Sequence, residues 1–189
     1  MGLYDFTFYD VVNRNATCFK EMSAWLEVDD ERMITFGQFK DRVDRLAKGL
    51  QGIGVEKGDR IGVLGKNSLE YFLLFGAAAA LGAIMLPINW RLSADEVGFN
   101  LGDCAPKVVF AEKEYEELIG GVKGKLPSVE KFFNLELHGG SFVDFESLMD
   151  NGGDLQPREV GTDDGFVIIH TAAVGGRPRG ALLSQGNVL

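Results

Sequence analysis

The residues whose types could do chemistry are concentrated in one stretch, Phe166-Val-Ile-Ile-His-Thr-Ala-Ala-Val-Gly-Gly-Arg-Pro-Arg-Gly-Ala-Leu-Leu-Ser-Gln-Gly-Asn187. It reads as a strand, a glycine-rich loop with two arginines, and the start of a helix. Glycines let backbone N–H groups close around an anion. Arg177 and Arg179 add charge in a forked geometry that suits phosphate. No Asp or Glu occurs from Gly165 to Leu189, although the whole chain carries a net charge of −9. Local composition leaves a blander reading open, a plain strand–turn–helix connection with two solvated arginines. Two standard phosphate loops do not fit. Gly175 and Gly180 have the Walker spacing, but Ala181-Leu182 stands where Lys-Ser/Thr belongs. No G-x-G-x-x-G follows a strand.

Other reactive residue types carry weaker signals. His170 ends the strand and His138 sits in a polar turn. With no partner set in view, each reads as structural. Glu112, Glu114, Glu116 and Glu117 fall at helix-surface spacing and read as a solvated face. The pair Asp163-Asp164 on a polar loop also reads as solvated. Cys18 and Cys104 are far apart, lack metal-ligand spacing, and read as inert buried thiols.

Several elements must position that loop. Residues 5–23 read as helical and 24–34 as a hairpin around Asp29-Asp30. Thr35-Phe36-Gly37-Gln38 is a capping box. The apolar residues Phe36, Phe39, Val43, Leu46, Ala47 and Leu50 then recur at helical spacing until Gly52 and Gly54. The pattern goes on to alternate: strand 60–65, helix from Asn67-Ser68 to about Leu81, strand 83–88, helix from the Ser93 capping box to about Gly102, strand 107–111, helix 112–121, strand 129–135 and a short helix 141–149. Residues 150–164 read as a connecting loop, 166–170 as a strand, and Ser184 as the start of a last helix. This alternation predicts an α/β fold, a parallel βαβ sheet with flanking helices.

Composition removes several function classes. Length predicts about one domain. Abundant apolar residues, 46% of the chain, exclude disorder. The negative charge argues against non-specific nucleic-acid binding. Two cysteines exclude a disulfide scaffold. Asp5 and Asp10 argue against a secretory signal, and Phe6 against myristoylation at Gly2. Tyr71–Trp90 is free of charge, but Gly76, Gly82 and Pro87 favour a buried helix and strand over a transmembrane span.

The loop resembles the signature of the adenylate-forming (AMP-binding) enzymes, which include acyl-CoA synthetases, luciferases and peptide adenylation domains. That signature reads Thr-Ser-Gly-Thr-Thr-Gly-x-Pro-Lys-Gly, a hydrophobic pair, then Ser/Thr-His-x-Asn. Thr171, Gly176, Pro178, Gly180, Ser184 and Asn187 match it, and Arg179 stands where the family has Lys. Upstream, Thr35-Phe36, Gly54-Val55-x-Lys57-Gly58-Asp59-Arg60, Asn67-x-x-Glu70, Gly82-Ala83 and Pro87-Ile88-Asn89 fall in family order. Asn89-Trp90-Arg91-Leu92 is most similar to fatty-acyl and aryl CoA ligases.

The resemblance implies a cytoplasmic acid–thiol ligase. It would activate a carboxylic acid, expected to be a fatty acid, as acyl-AMP and transfer it to coenzyme A, with ATP and Mg²⁺. Expected partners are the acid, ATP and CoA, with a homodimer as one form. The implied ATP phosphate-binding residues are Thr171, Ala172, Ala173, Val174, Gly175, Gly176, Arg179 and Gly180, with Gln185 toward the substrate pocket. Ala172, Ala173, Val174 and Gly175 replace Ser, Gly, Thr and Thr, which removes three hydroxyl donors worth about 0.5–1.5 kcal/mol each. A non-catalytic nucleotide-binding module, adenylation without CoA transfer, and a structural or dimerising domain are the alternatives. The family's adenine contacts, Mg²⁺ ligand and catalytic Lys lie later in the chain. Residues 1–189 are therefore expected to form an incomplete N-terminal AMP-binding domain that lacks its remainder and the small C-terminal domain, and to be inactive alone.

Overall fold

A computed structural model describes residues 6–28, 31–136, 140–150, 155–156, 158–171 and 178–189. Helix α1 spans Phe8–Cys18 and is followed by an antiparallel hairpin of β1, Ser23–Leu26, and β2, Met33–Thr35. Then come α2 (Phe36–Gly52), β3 (Arg60–Leu64), α3 (Leu69–Leu81), β4 (Ile84–Ile88), α4 (Ala94–Cys104) and β5 (Val108–Ala111). A 3₁₀ turn at Lys113–Tyr115 leads into α5 (Glu116–Val122) and β6 (Lys131–Asn134), and a second short 3₁₀ segment covers Phe145–Leu148. The chain continues through β7 (Gly165–His170), β8 (Gly180–Ser184) and α6 (Gln185–Val188).

The main sheet has the order β6-β5-β3-β4-β7-β8. All its pairings are parallel except β7 with β8. Alternate residues explain its two packed faces. Val63, Met85, Val108, Phe110 and Phe133 join one core with α2 and α3. Leu64, Leu86, Val109, Ala111 and Phe132 join the other with α4 and α5.

Local chemistry sets the helix ends. Thr35, Ser93 and Ser184 each cap through a reciprocal box with Gln38, Glu96 and Asn187. Ser68 caps α3, and Gly82 ends it at φ +69°. The charge-free stretch 71–90 thus divides into α3 and β4. No helix among the described residues is long and apolar enough to cross a membrane.

Five expectations are corrected. Helix α1 ends at Cys18, not 23, because Ser23 already begins a strand. The stretch after the glycine-rich loop is a strand before it is a helix. The apolar residues Ala181-Leu182-Leu183 pair antiparallel with Ile169, Ile168 and Val167, so the loop joins a hairpin. Glu116 is buried, not solvated. Its carboxylate accepts the N–H groups of Ser141 and Phe142 at 2.6 and 3.4 Å. Of the two thiols, Cys18 is exposed and Cys104 half-buried. Asp163 is exposed, but Asp164 is committed, to Lys57 at 2.7 Å and the Gly161 N–H at 2.7 Å.

Two tight contacts hold the helical layer. The bidentate pair of Arg32 with buried Glu70, at 2.7 and 3.3 Å, ties the β1–β2 hairpin to the first turn of α3. Helices α2 and α3 meet at Gly76, where an added Cβ would lie 2.5 Å from Val43 Cγ2. Val43 is β-branched and fully buried, so it cannot swing away. Gly76→Ala is expected to lower stability in urea unfolding by about 1–3 kcal/mol, despite the better helix propensity of Ala. Adding Val43→Ala should cost less in that background than in the native one. Equal costs in the two backgrounds would show that the two helices do not meet there.

Candidate functional site

The parallel pairing of β4 with β7, in register at Met85 and Val167, brings their carboxyl ends side by side. Open parallel sheets bind ligands at such ends. A cavity of about 810 Å³ lies there, with walls that include Ile88, Asn89, Asn100, His170, Thr171 and Pro178. Thr171 and Pro178, which flank the glycine-rich loop in sequence, stand at its edge. His170 pairs with Gly180, and the Thr171 N–H donates to the Arg179 carbonyl at 3.0 Å. The base of the loop is therefore clamped by main-chain hydrogen bonds at both ends.

Of the expected phosphate-binding residues, Thr171, Arg179 and Gly180 are brought together at this base. Thr171 and Arg179 are both exposed. No ion pair among the described residues involves Arg179, so its guanidinium is available to an anion. Ala172, Ala173, Val174, Gly175, Gly176 and Arg177 lie outside the described residues, as does His138. Gln185 is fully enclosed and does not line the cavity. Its Oε1 accepts the Phe8 N–H at 2.9 Å and so fastens α1 to the start of α6.

Other site residues were not evident beforehand. Asn100 is buried on α4 with Oδ1 lacking a partner, and the His170 Nδ1 is likewise buried and unpartnered. Both residues line the cavity, giving it polar positions that a ligand or water can satisfy. Asn100 had one sequence signal, a polar residue breaking the apolar face of Val97 and Leu101. Cys104 had none. The fold places its Sγ 3.8 Å from the His170 Nε2.

With that geometry established, comparison with known proteins identifies the family. The AMP-binding enzyme family profile matches residues 12–189. The chain belongs to the AMP-binding enzymes. An indoleacetate–CoA ligase of Aromatoleum aromaticum is 36% identical over 159 residues, covering 82% of this chain and 31% of the relative. A crystal structure from Rhodopseudomonas palustris, provisionally identified as a long-chain-fatty-acid CoA ligase, superposes with a TM-score of 0.90 at 45% identity, covering 99% of this chain and 46% of the other. The anthranilate CoA ligase AuaEII, solved with anthranoyl-AMP, superposes with a TM-score of 0.89 at 25% identity, covering 98% of this chain and 36% of the other. The chain spans about a third of the length of the curated relatives it matches. These AMP-binding relatives are acyl- and aryl-CoA ligases, and the α/β architecture is that of their N-terminal region.

Burial holds the His170 pKa below the ordinary histidine value, with Asp103 opposing in part. The fold therefore favours neutral imidazole. As pH falls through the ordinary value, the unfolded chain takes the proton first and stability declines, until the lower folded value is passed. His170→Gln is expected to flatten that step in thermal melts between pH 8 and 5, a window set by the ordinary histidine pKa of about 6.5. An unchanged step in the variant would assign the pH dependence elsewhere.

Proposed function

We propose that this chain supplies the phosphate-holding side of an ATP-dependent acid–thiol ligase. The observation that carries the reading is the clamped hairpin base, Thr171 against Arg179, at the carboxyl ends of β4 and β7 in an AMP-binding fold. In the reaction, a carboxylate oxygen attacks the α-phosphorus of ATP. The bond to the β-phosphate bridge breaks, and pyrophosphate leaves with the electron pair. The thiol sulfur of coenzyme A then attacks the acyl carbon and AMP departs.

The first step brings two anions together and gathers charge on the leaving phosphates. Fixed positive charge and oriented donors lower that barrier. The Arg179 guanidinium and Thr171 hydroxyl supply donors at the loop base. Arg in place of Lys offers a planar fork, suited to two phosphate oxygens at once. The cavity residues do not fit a dedicated Mg²⁺ site. Gly165–Leu189 has no carboxylate, and the Glu96 side chain is committed to Ser93 at 2.7 Å.

The proposed substrate is a fatty acid, activated in the cytoplasm. The 45% identity to the Rhodopseudomonas protein supports a fatty acid, whereas the Asn89-Trp90-Arg91-Leu92 segment is shared by fatty-acyl and aryl CoA ligases. The 189 residues by themselves would hold phosphates without completing the chemistry. One observation supports a second reading, a nucleotide-binding module without catalysis: Ala172, Val174 and Gly175 stand where the family signature has hydroxyl residues.

Calorimetry with ATP tests the loop. Arg179→Ala is expected to weaken ATP binding by roughly tenfold to a hundredfold, matching the ~1.5–3 kcal/mol of a charged hydrogen bond. Arg179→Lys should lose less. Equal ATP affinity in all three proteins would overturn the assignment of Arg179.

A further inference from the structure

A second cluster lies beside the hairpin base. Side-chain donor atoms of Asp103, Cys104 and His170 lie within 4.8 Å of one another. The Cys104 Sγ and His170 Nε2 are 3.8 Å apart. That is long for a strong hydrogen bond but close to an edge of a tetrahedral zinc site. Zn–S of about 2.3 Å and Zn–N of about 2.0–2.1 Å imply an S···N edge of roughly 3.5 Å.

The surroundings hold these donors in place. Cys104 ends α4, and Arg60 on β3 donates to the carbonyls of Cys104 and Ala105 at 2.8 and 2.7 Å, fixing the turn. His170 ends β7 and is held by its pairing with Gly180. Gly180 also leaves room. A Cβ there would lie 3.5 Å from Cys104 Sγ and 3.6 Å from His170 Nε2. The tightest contact of such a Cβ would be with Ile168 Cγ2 at 2.8 Å, so a glycine is fitted there and no side chain stands beside the two donors. Asp103 is exposed and can swing its carboxylate toward them.

We propose that Asp103, Cys104 and His170 form a three-donor site for a borderline-soft divalent cation such as Zn²⁺, at the junction of α4 with the base of the β7–β8 hairpin. Thiolate, imidazole and carboxylate together select zinc over magnesium or calcium, which take oxygen ligands. Three protein donors leave a fourth position for water or an exogenous ligand. On binding, the Cys104 thiol proton passes to solvent and the sulfur forms the metal bond. With the metal on Nε2, the remaining imidazole proton sits on Nδ1, at the cavity wall. The cation would staple α4 to the strand pair that carries the phosphate loop, coupling metal occupancy to the stiffness of the loop base. This site is independent of the ligase reading, because its donors and its test involve no nucleotide.

The test is titration of the metal-free 189-residue protein with cobalt(II), a spectroscopic stand-in for zinc. The expected result is one cobalt per chain, with a near-ultraviolet thiolate-to-cobalt charge-transfer band and intense visible bands of tetrahedral coordination. Cys104→Ser should abolish the charge-transfer band, and Cys18→Ser should keep it. His170→Gln should weaken cobalt binding by at least about tenfold, the scale on which even outer-shell partners act. Circular dichroism confirms that each variant is folded. Because Cys18→Ser leaves the proposed donors intact, it keeps the test decisive if another variant unfolds. Absence of the band in the native chain, or a band that survives Cys104→Ser, would overturn the proposal.

Discussion

Strand β7 is the element on which the site depends. It pairs in parallel with β4 on one side and antiparallel with β8 on the other. The first pairing sets where the carboxyl ends of the sheet converge, and the second sets where the glycine-rich loop begins and ends. Phe166 and Val167 anchor β7, with 1% and 5% of their surface exposed. Phe8 of α1 packs its ring on Phe166 at 5.4 Å. The Gln185–Phe8 hydrogen bond then ties the end of the hairpin to the same helix. A shift of β7 by one residue would exchange its two faces and move the loop base off the crevice.

A division of labour follows. Packing positions the site, but few packing residues touch it. Glycine serves both parts for opposite reasons. Gly76 lets two helices approach, whereas Gly180 keeps space open beside donor atoms. Charge is divided similarly. The chain is acidic overall, yet the loop has no carboxylate, so anion repulsion is weakest at the proposed phosphate site. Arg60 and Lys57 are used elsewhere, on backbone carbonyls and Asp164. Arg179 enters no ion pair among the described residues.

Much of this was legible in the sequence, because the signals were local. The capping boxes at Thr35 and Ser93, and the serine at 184, marked helix starts that the structure reproduces. Alternating apolar runs separated by glycine marked the parallel strands. The features that escaped notice arise from contacts distant in sequence. Glu116 looked solvated on a helical wheel, yet it serves the N–H groups of Ser141 and Phe142. Strand β8 was hidden because its short apolar run gains meaning only against β7. Gln185 seemed close to a substrate pocket until the structure placed it beside Phe8. Cys104 and His170 are separated by 66 positions, and only the fold brings them together.

The central claim is that ATP phosphates are held at the base of the β7–β8 hairpin. Amide hydrogen exchange with and without ATP tests it most directly. The account predicts that ATP slows exchange in peptides covering residues 171–180 and leaves the β6 edge, Lys131–Asn134, unchanged. Protection confined to other segments, with none at 171–180, would contradict it.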